Sequence, residues 1–155
     1  MMLRGGLRKR SMCSIKIPFI ENDTKIPLIH ISVNGIDTVA IIDSGSDTSL
    51  ISNELVKKYS IPIEKTHARC TSNGLYSSVT RSITYAKARL KFHNLATEEC
   101  EVMLSVLGMS NVRDAFKERC DIEPYVILGS DFLDEHNAKI DYVKSNLIID
   151  DLSYK

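Results

Sequence analysis

Apolar and polar positions alternate in short runs along most of this chain, and Asn-Gly pairs, prolines and small polar clusters break them. Ile15, Ile17 and Phe19 alternate with other residues and predict a first strand. A polar turn over residues 21–25 precedes a second strand over 26–33, with Pro27 near its start. Asn34-Gly35 is a strong hairpin signal, and residues 36–43 return as a third strand. Ser52 is placed to cap a short helix through Tyr59, with Leu55 and Val56 facing inward. Residues 61–63 open another extended segment. Residues 68–82, with Asn73-Gly74 near the middle, read as a second hairpin whose flanks have little to bury. Further strands are expected over 83–92 and 100–107, and a short exposed helix over 111–119. The compact apolar run 125–128 stops at Gly129, and one or two helical turns follow over 131–136. Residues 138–143 and 147–149 close the chain as a hairpin. Many short strands at close spacing predict an all-β fold, a small barrel with minor helices.

Residues 1–13 carry Arg4, Arg8, Lys9 and Arg10 and no apolar period, so they are expected to form a flexible basic leader. Residues 14–155 are then a single domain, large enough to bury a real core. The 155 residues are 43% hydrophobic and 26% charged, as in globular proteins in water. Twenty basic residues balance 20 acidic ones, which argues against a nucleic-acid-binding face. No apolar run is long enough to span a membrane, and Lys16 and Pro18 interrupt the only stretch resembling a signal peptide. A cytoplasmic protein without nucleic-acid or membrane partners is expected. Cys13, Cys70, Cys100 and Cys120 form no C-x-x-C pair, which fits reduced thiols.

The chemistry concentrates in residues 41–52, Ile-Ile-Asp-Ser-Gly-Ser-Asp-Thr-Ser-Leu-Ile-Ser. The apolar run 39–42 reads as a buried strand that drives into Asp43. A carboxylate there needs hydrogen-bonding partners, because an unpaired buried charge is costly. Gly45 is expected to ease a tight turn, and Ser44 brings a hydroxyl that both donates and accepts. An acid at the end of a buried strand, on a loop of small polar residues, is well placed to be tuned for chemistry. Asp-Ser-Gly is also an ordinary turn sequence, so the triplet alone does not decide between a plain loop and a catalytic one.

Other chemistries fit less well. Read as a calcium loop from Asp43, the segment has Asp47 and Glu54 in place. However, Gly45 lacks a ligand atom and Thr48 stands where glycine is needed. His67 and Cys70 have ligand-like spacing without a second pair nearby. His30, His93 and His136 are isolated, and there is no G-x-S-x-G elbow or phosphate-binding glycine loop.

Two motifs in order add a resemblance. Residues 41–46, Ile-Ile-Asp-Ser-Gly-Ser, resemble the active-site loop of retropepsin-like aspartic proteases. Residues 126–133, Val-Ile-Leu-Gly-Ser-Asp-Phe-Leu, resemble that family's downstream apolar strand, glycine and short helix. The continuation over 136–142 is similar to proteases of long-terminal-repeat retroelements, and Asn73-Gly74 falls where the family keeps its flap. The resemblance extends from about residue 26 to residue 149. It implies a closed six-stranded acid-protease barrel with a flap hairpin, acting as an aspartic endopeptidase without metal or cofactor. Asp43 would be the catalytic aspartate, with Ser44 bonding across a homodimer interface and Gly45 admitting substrate backbone. Asp47, Thr48 and Gly74 would hold the peptide or polyprotein substrate, and Gly129 would pack behind the loop. The flap is not glycine-rich. The separation of Asp43 from Gly129 exceeds that of the compact viral enzymes, with the excess expected in residues 94–120. The chain holds one Asp-Ser-Gly, so a second carboxylate must come from a second copy. Alternatives are an inactive barrel used for peptide binding or dimerisation, and a structural fragment of a retroelement polyprotein.

Overall fold

The hairpin at Asn34-Gly35 sets the first register of the fold. Asn34 and Gly35 both have positive φ, 51° and 86°, as a two-residue type I′ turn requires. They join β2 (Leu28–Val33) to β3 (Ile36–Ile42), with Leu28 opposite Ile41 and Val33 opposite Ile36. The computed structural model describes residues 14–71, 78–92 and 99–150, without the side chains of 67–71 and 78–82. The basic leader expected over 1–13 and the flap tip Asn73-Gly74 lie outside the described residues.

Beyond the hairpin come β4 (Leu50–Ser52), helix α1 (Asn53–Tyr59), β5 (Ile63–Thr71), β6 (Ser78–Phe92) and β7 (Glu99–Leu107). Helix α2 (Ser110–Cys120), β8 (Val126–Leu128) and helix α3 (Ser130–Glu135) follow. Strands β2, β3, β8, β4, β7 and β6 pair in that order, and β6 returns to β2 through Ile31–Phe92 and Val33–Leu90. That last pairing closes a six-stranded barrel, leaving no open edge on those strands. β5 pairs outside the ring with β6, from Ile63–Ala86 to Thr71–Ser78. The second hairpin is thus present, and its return strand is one 15-residue element beginning at Ser78 rather than Ile83.

A separate sheet holds both ends of the described chain. Its order is β1 (Ile15–Pro18), β10 (Asn146–Ile149) and β9 (Ala138–Asp141), with Ile15 opposite Ile149 and Ile149 opposite Ala138. Ile17, Leu147 and Ile149 pack from this sheet into the main core with Ile29, Ile31, Leu90, Phe92 and Leu128. A smaller core of Leu28, Ile41, Met109, Phe116 and Ile127 lies under α2. The pattern expects α2 to be exposed. The helix does face solvent, but Phe116 is buried in this second core.

Strand β4 has no counterpart in the sequence pattern. Three residues give no visible period, yet β4 runs parallel to β7 and antiparallel to β8 and completes the ring. Ser52 ends it and caps α1, its hydroxyl accepting a hydrogen bond from the Glu54 backbone N–H at 3.2 Å. No described helix is long and apolar enough to cross a membrane.

Candidate active site

Two parallel strands end side by side, and the site forms where they stop. β3 and β8 pair through Ala40–Val126, Ile41–Ile127 and Ile42–Leu128. Asp43 continues the ladder by one bond, its N–H donating to the Leu128 carbonyl at 2.9 Å. The chain then turns tightly, with the Ser46 N–H donating to the Asp43 carbonyl at 3.0 Å. Within this turn the Gly45 N–H donates to Asp43 Oδ1 at 3.0 Å, which orients the carboxylate.

Gly45 does not serve as its turn position suggests, because it lacks a positive φ. The constraint is space: a Cβ at Gly45 would come within 3.3 Å of Asp43 Oδ1 and crowd the carboxylate. Asp43 is exposed rather than buried, so a buried charge in need of rescue is not the arrangement here. Asp43 and Ser44 sit at the rim of a cavity of about 360 Å³ whose walls include Ile26, Ile41, Ile127 and Tyr142.

Asp47 and Thr48 are exposed further along the same loop. The Thr48 carbonyl accepts from Ser46 Oγ at 2.8 Å, which braces the outer half of the loop. Gly74 belongs to the flap tip, outside the described residues.

Behind the loop, Gly129 permits a contact no other residue would. A Cβ there would fall far inside van der Waals distance of the Ser46 carbonyl oxygen and close to that of Thr48. The gap is closed by the Ser130 N–H donating to the Ser46 carbonyl at 2.7 Å. Gly129 therefore packs against the loop as the resemblance implies.

Sequence reasoning missed a second fastening. The buried Ser49 hydroxyl donates to Asp131 Oδ1 at 2.6 Å, and the Ser49 N–H donates to Asp131 Oδ2 at 3.0 Å. Ser49 Oγ also accepts from the Gly129 N–H at 2.9 Å, and Asp131 Oδ1 accepts from the Phe132 N–H at 2.7 Å. One carboxylate thereby ties the loop to the first turn of α3. The available signal was a serine ending the small polar run and an acid opening a helix, with nothing in either segment to join them.

A closed six-stranded barrel presenting an Asp-Ser-Gly loop beside an apolar strand and glycine is the architecture of a retropepsin-like aspartic protease. A family model described as "gag-polyprotein putative aspartyl protease" matches residues 29–135, and the chain belongs to that family. A retropepsin-like aspartic protease from Rickettsia conorii has a similar structure, with TM-score 0.52 and 19% identity, over 88% of this chain and 89% of that one. The retroviral protease-like domain of Ddi1 from Leishmania major is 17% identical, with TM-score 0.49, over 82% and 89% of the two chains. EIAV protease complexed with the inhibitor HBY-793 is 20% identical, with TM-score 0.48, over 79% and 98%. No curated protein matches the chain significantly.

Proposed function

We propose that the chain is an aspartic endopeptidase that hydrolyses peptide or polyprotein substrates as a homodimer. The carrying observation is the setting of Asp43. Its carboxylate is exposed at the mouth of a cavity, oriented by the Gly45 N–H, on a loop fastened from behind by Gly129 and Asp131. One such carboxylate per chain supplies either a base or a proton donor. A two-fold axis repeats the same patch on both partners and brings Asp43 to Asp43.

Two carboxylates about 3 Å apart cannot both ionise, so the pair holds one proton. The ionised member takes a proton from water as the water attacks the peptide carbonyl carbon. The protonated member donates a hydrogen bond to the carbonyl oxygen. Collapse of the tetrahedral species breaks the C–N bond as the amine nitrogen receives a proton. In this reading Ser44 bonds across the interface and holds the paired loops rigid, Gly45 admits substrate backbone, and Asp47, Thr48 and Gly74 hold the peptide main chain. The free thiols Cys100 and Cys120 suit a reducing compartment such as the cytoplasm.

Shared protonation gives a sign for pH: cleavage is fastest at acid to mildly acidic pH and falls once both carboxylates ionise. The test is cleavage of a broad peptide library by wild type and Asp43→Asn over a range of pH. Asp43→Asn is expected to abolish cleavage while its fold and dimer persist. Cleavage by the variant, or by neither protein, would defeat the proposal. The second outcome would favour the inactive peptide-binding barrel.

A further inference from the structure

We propose that helix α2 forms one wall of the substrate cleft, and that Val112 and Phe116 set the size of the apolar side chain accepted beside the scissile bond. The inference rests on the peptidase reading and names a binding position within it. Val112 and Phe116 are four residues apart, so they project from one face of the helix. Both line the 360 Å³ cavity that has Asp43 and Ser44 at its rim.

The same wall is coupled to the strands that carry the site. Phe116 is buried against Ile41 and Ile127, each two residues before a site residue, Asp43 and Gly129 respectively. From the solvent side the helix is pinned at several points. Arg113 pairs with Glu54 on α1, and its guanidinium lies 5.9 Å from the centre of the Tyr125 ring. Lys117 Nζ reaches Glu123 at 2.8 Å. A wall held on both faces discriminates by shape, because it does not yield to an oversized guest.

The chemistry of the occupant follows from the lining. Among the described residues, Asp43 is the only charged one around the cavity, and the other walls are largely aliphatic or aromatic. A charged substrate side chain would lose its hydration there without gaining a partner. An apolar side chain adjoining the peptide bond at Asp43 is the occupant that fits.

A second cavity of about 360 Å³ shares Ile26, Val112 and Phe116 with the first, and Thr24, Asn111, Ala115 and Arg119 complete its lining. Val112, with Ile26 and Phe116, thus borders both spaces. Trimming Val112 enlarges the space beside Asp43, and enlarging it fills that space.

The experiment measures peptide binding to the Asp43→Asn protein, alone and combined with Val112→Ala or Val112→Phe. The peptides differ only in the residue, Ala, Leu, Phe or Trp, on either side of one central bond. Val112→Phe is expected to lower the preference for Phe over Ala roughly tenfold, and Val112→Ala to raise binding of Trp. Melting temperatures verify that each protein folds, and sedimentation measures the dimer. An unchanged Phe-to-Ala ratio in all three proteins overturns the inference, as does absence of binding. A shift confined to the dimer dissociation constant also overturns it, since the cavity would then be filled by the second copy. Wild-type cleavage of the same peptides reports separately on the peptidase reading. Peptides that bind by this preference but are not cut would remove that reading and leave the binding position standing.

Discussion

Asp43 is held in place by its neighbours, and those neighbours give sharp expectations for single substitutions. Gly129→Ala places a Cβ against the Ser46 carbonyl, which is backbone held by its own hydrogen bonds and cannot swing aside. The loop carrying Asp43 must shift, so cleavage is expected to be lost and the melting temperature lowered; calorimetry and peptide assay read both. Ser49→Ala leaves the Gly129 N–H and one Asp131 oxygen without their shared partner, and is expected to destabilise the fold by about 1–3 kcal/mol in urea titration. Cys100 gives a pH dependence. Burial, and then the nearby charges of Glu135 and Glu99, push its thiol from 9.0 up to about 12. The unfolded chain therefore loses this proton first, so stability declines as pH rises from about 9 toward 12. Cys100→Ala should flatten that part of the unfolding curve relative to wild type, and parallel curves would refute the assignment. At this scale the sequence was readable where chemistry is contiguous: Asp43, Ser44 and Gly45 stand in one word of the chain. Ser49 and Asp131 were not readable, because their bond joins two segments that only the finished barrel brings together.

Elements were legible in proportion to their local signals. The Asn34-Gly35 turn needs two positive φ angles, and those two residue types accept them at little cost, so the hairpin and its register could be read directly. Helix α1 announced itself through Ser52 and the inward pair Leu55 and Val56. Ser52→Ala removes the cap from the Glu54 N–H and is expected to cost about 1 kcal/mol, measured by chemical denaturation. A neutral result would mean that strand β4, whose backbone Ser52 also ends, holds the helix start without the hydroxyl. β4 itself gave no signal, since three residues sandwiched between β7 and β8 owe their conformation to those partners. The burial of Phe116 was hidden for a related reason. One aromatic residue in a mostly polar helix sets no period, and only the apolar floor of Leu28, Ile41 and Ile127 explains where it goes.

At the scale of the whole molecule, the barrel and the terminal sheet make different demands on a second copy. The six-stranded ring closes within one chain through the β2–β6 pairing, and β1, β10 and β9 pair with one another in the same chain. The main core draws on both, so the apolar surface that drives folding is buried without a partner. The proposed mechanism calls for a second Asp43, and the surface near the first is open. Tyr142 is 64% exposed and Val143 93% exposed at the turn between β9 and β10, and Tyr142 lines the same cavity as Asp43. Folding and activity should therefore separate on dilution. Dimerisation of the folded chain raises its melting temperature with concentration in either case, but a chain that folds alone keeps a folded monomer, with a constant melting temperature, below the dimer dissociation constant. On dilution the melting temperature of this chain is expected to level off at the value of a folded monomer, while cleavage per chain continues to fall toward zero. Calorimetry or fluorescence melting, run beside a peptide assay on the same dilutions, measures the two together. An unfolded chain wherever sedimentation finds only monomer would show that the chain needs its partner to fold. Constant activity per chain, with a monomer demonstrated by sedimentation, would show that one Asp43 suffices and would remove the paired-carboxylate mechanism.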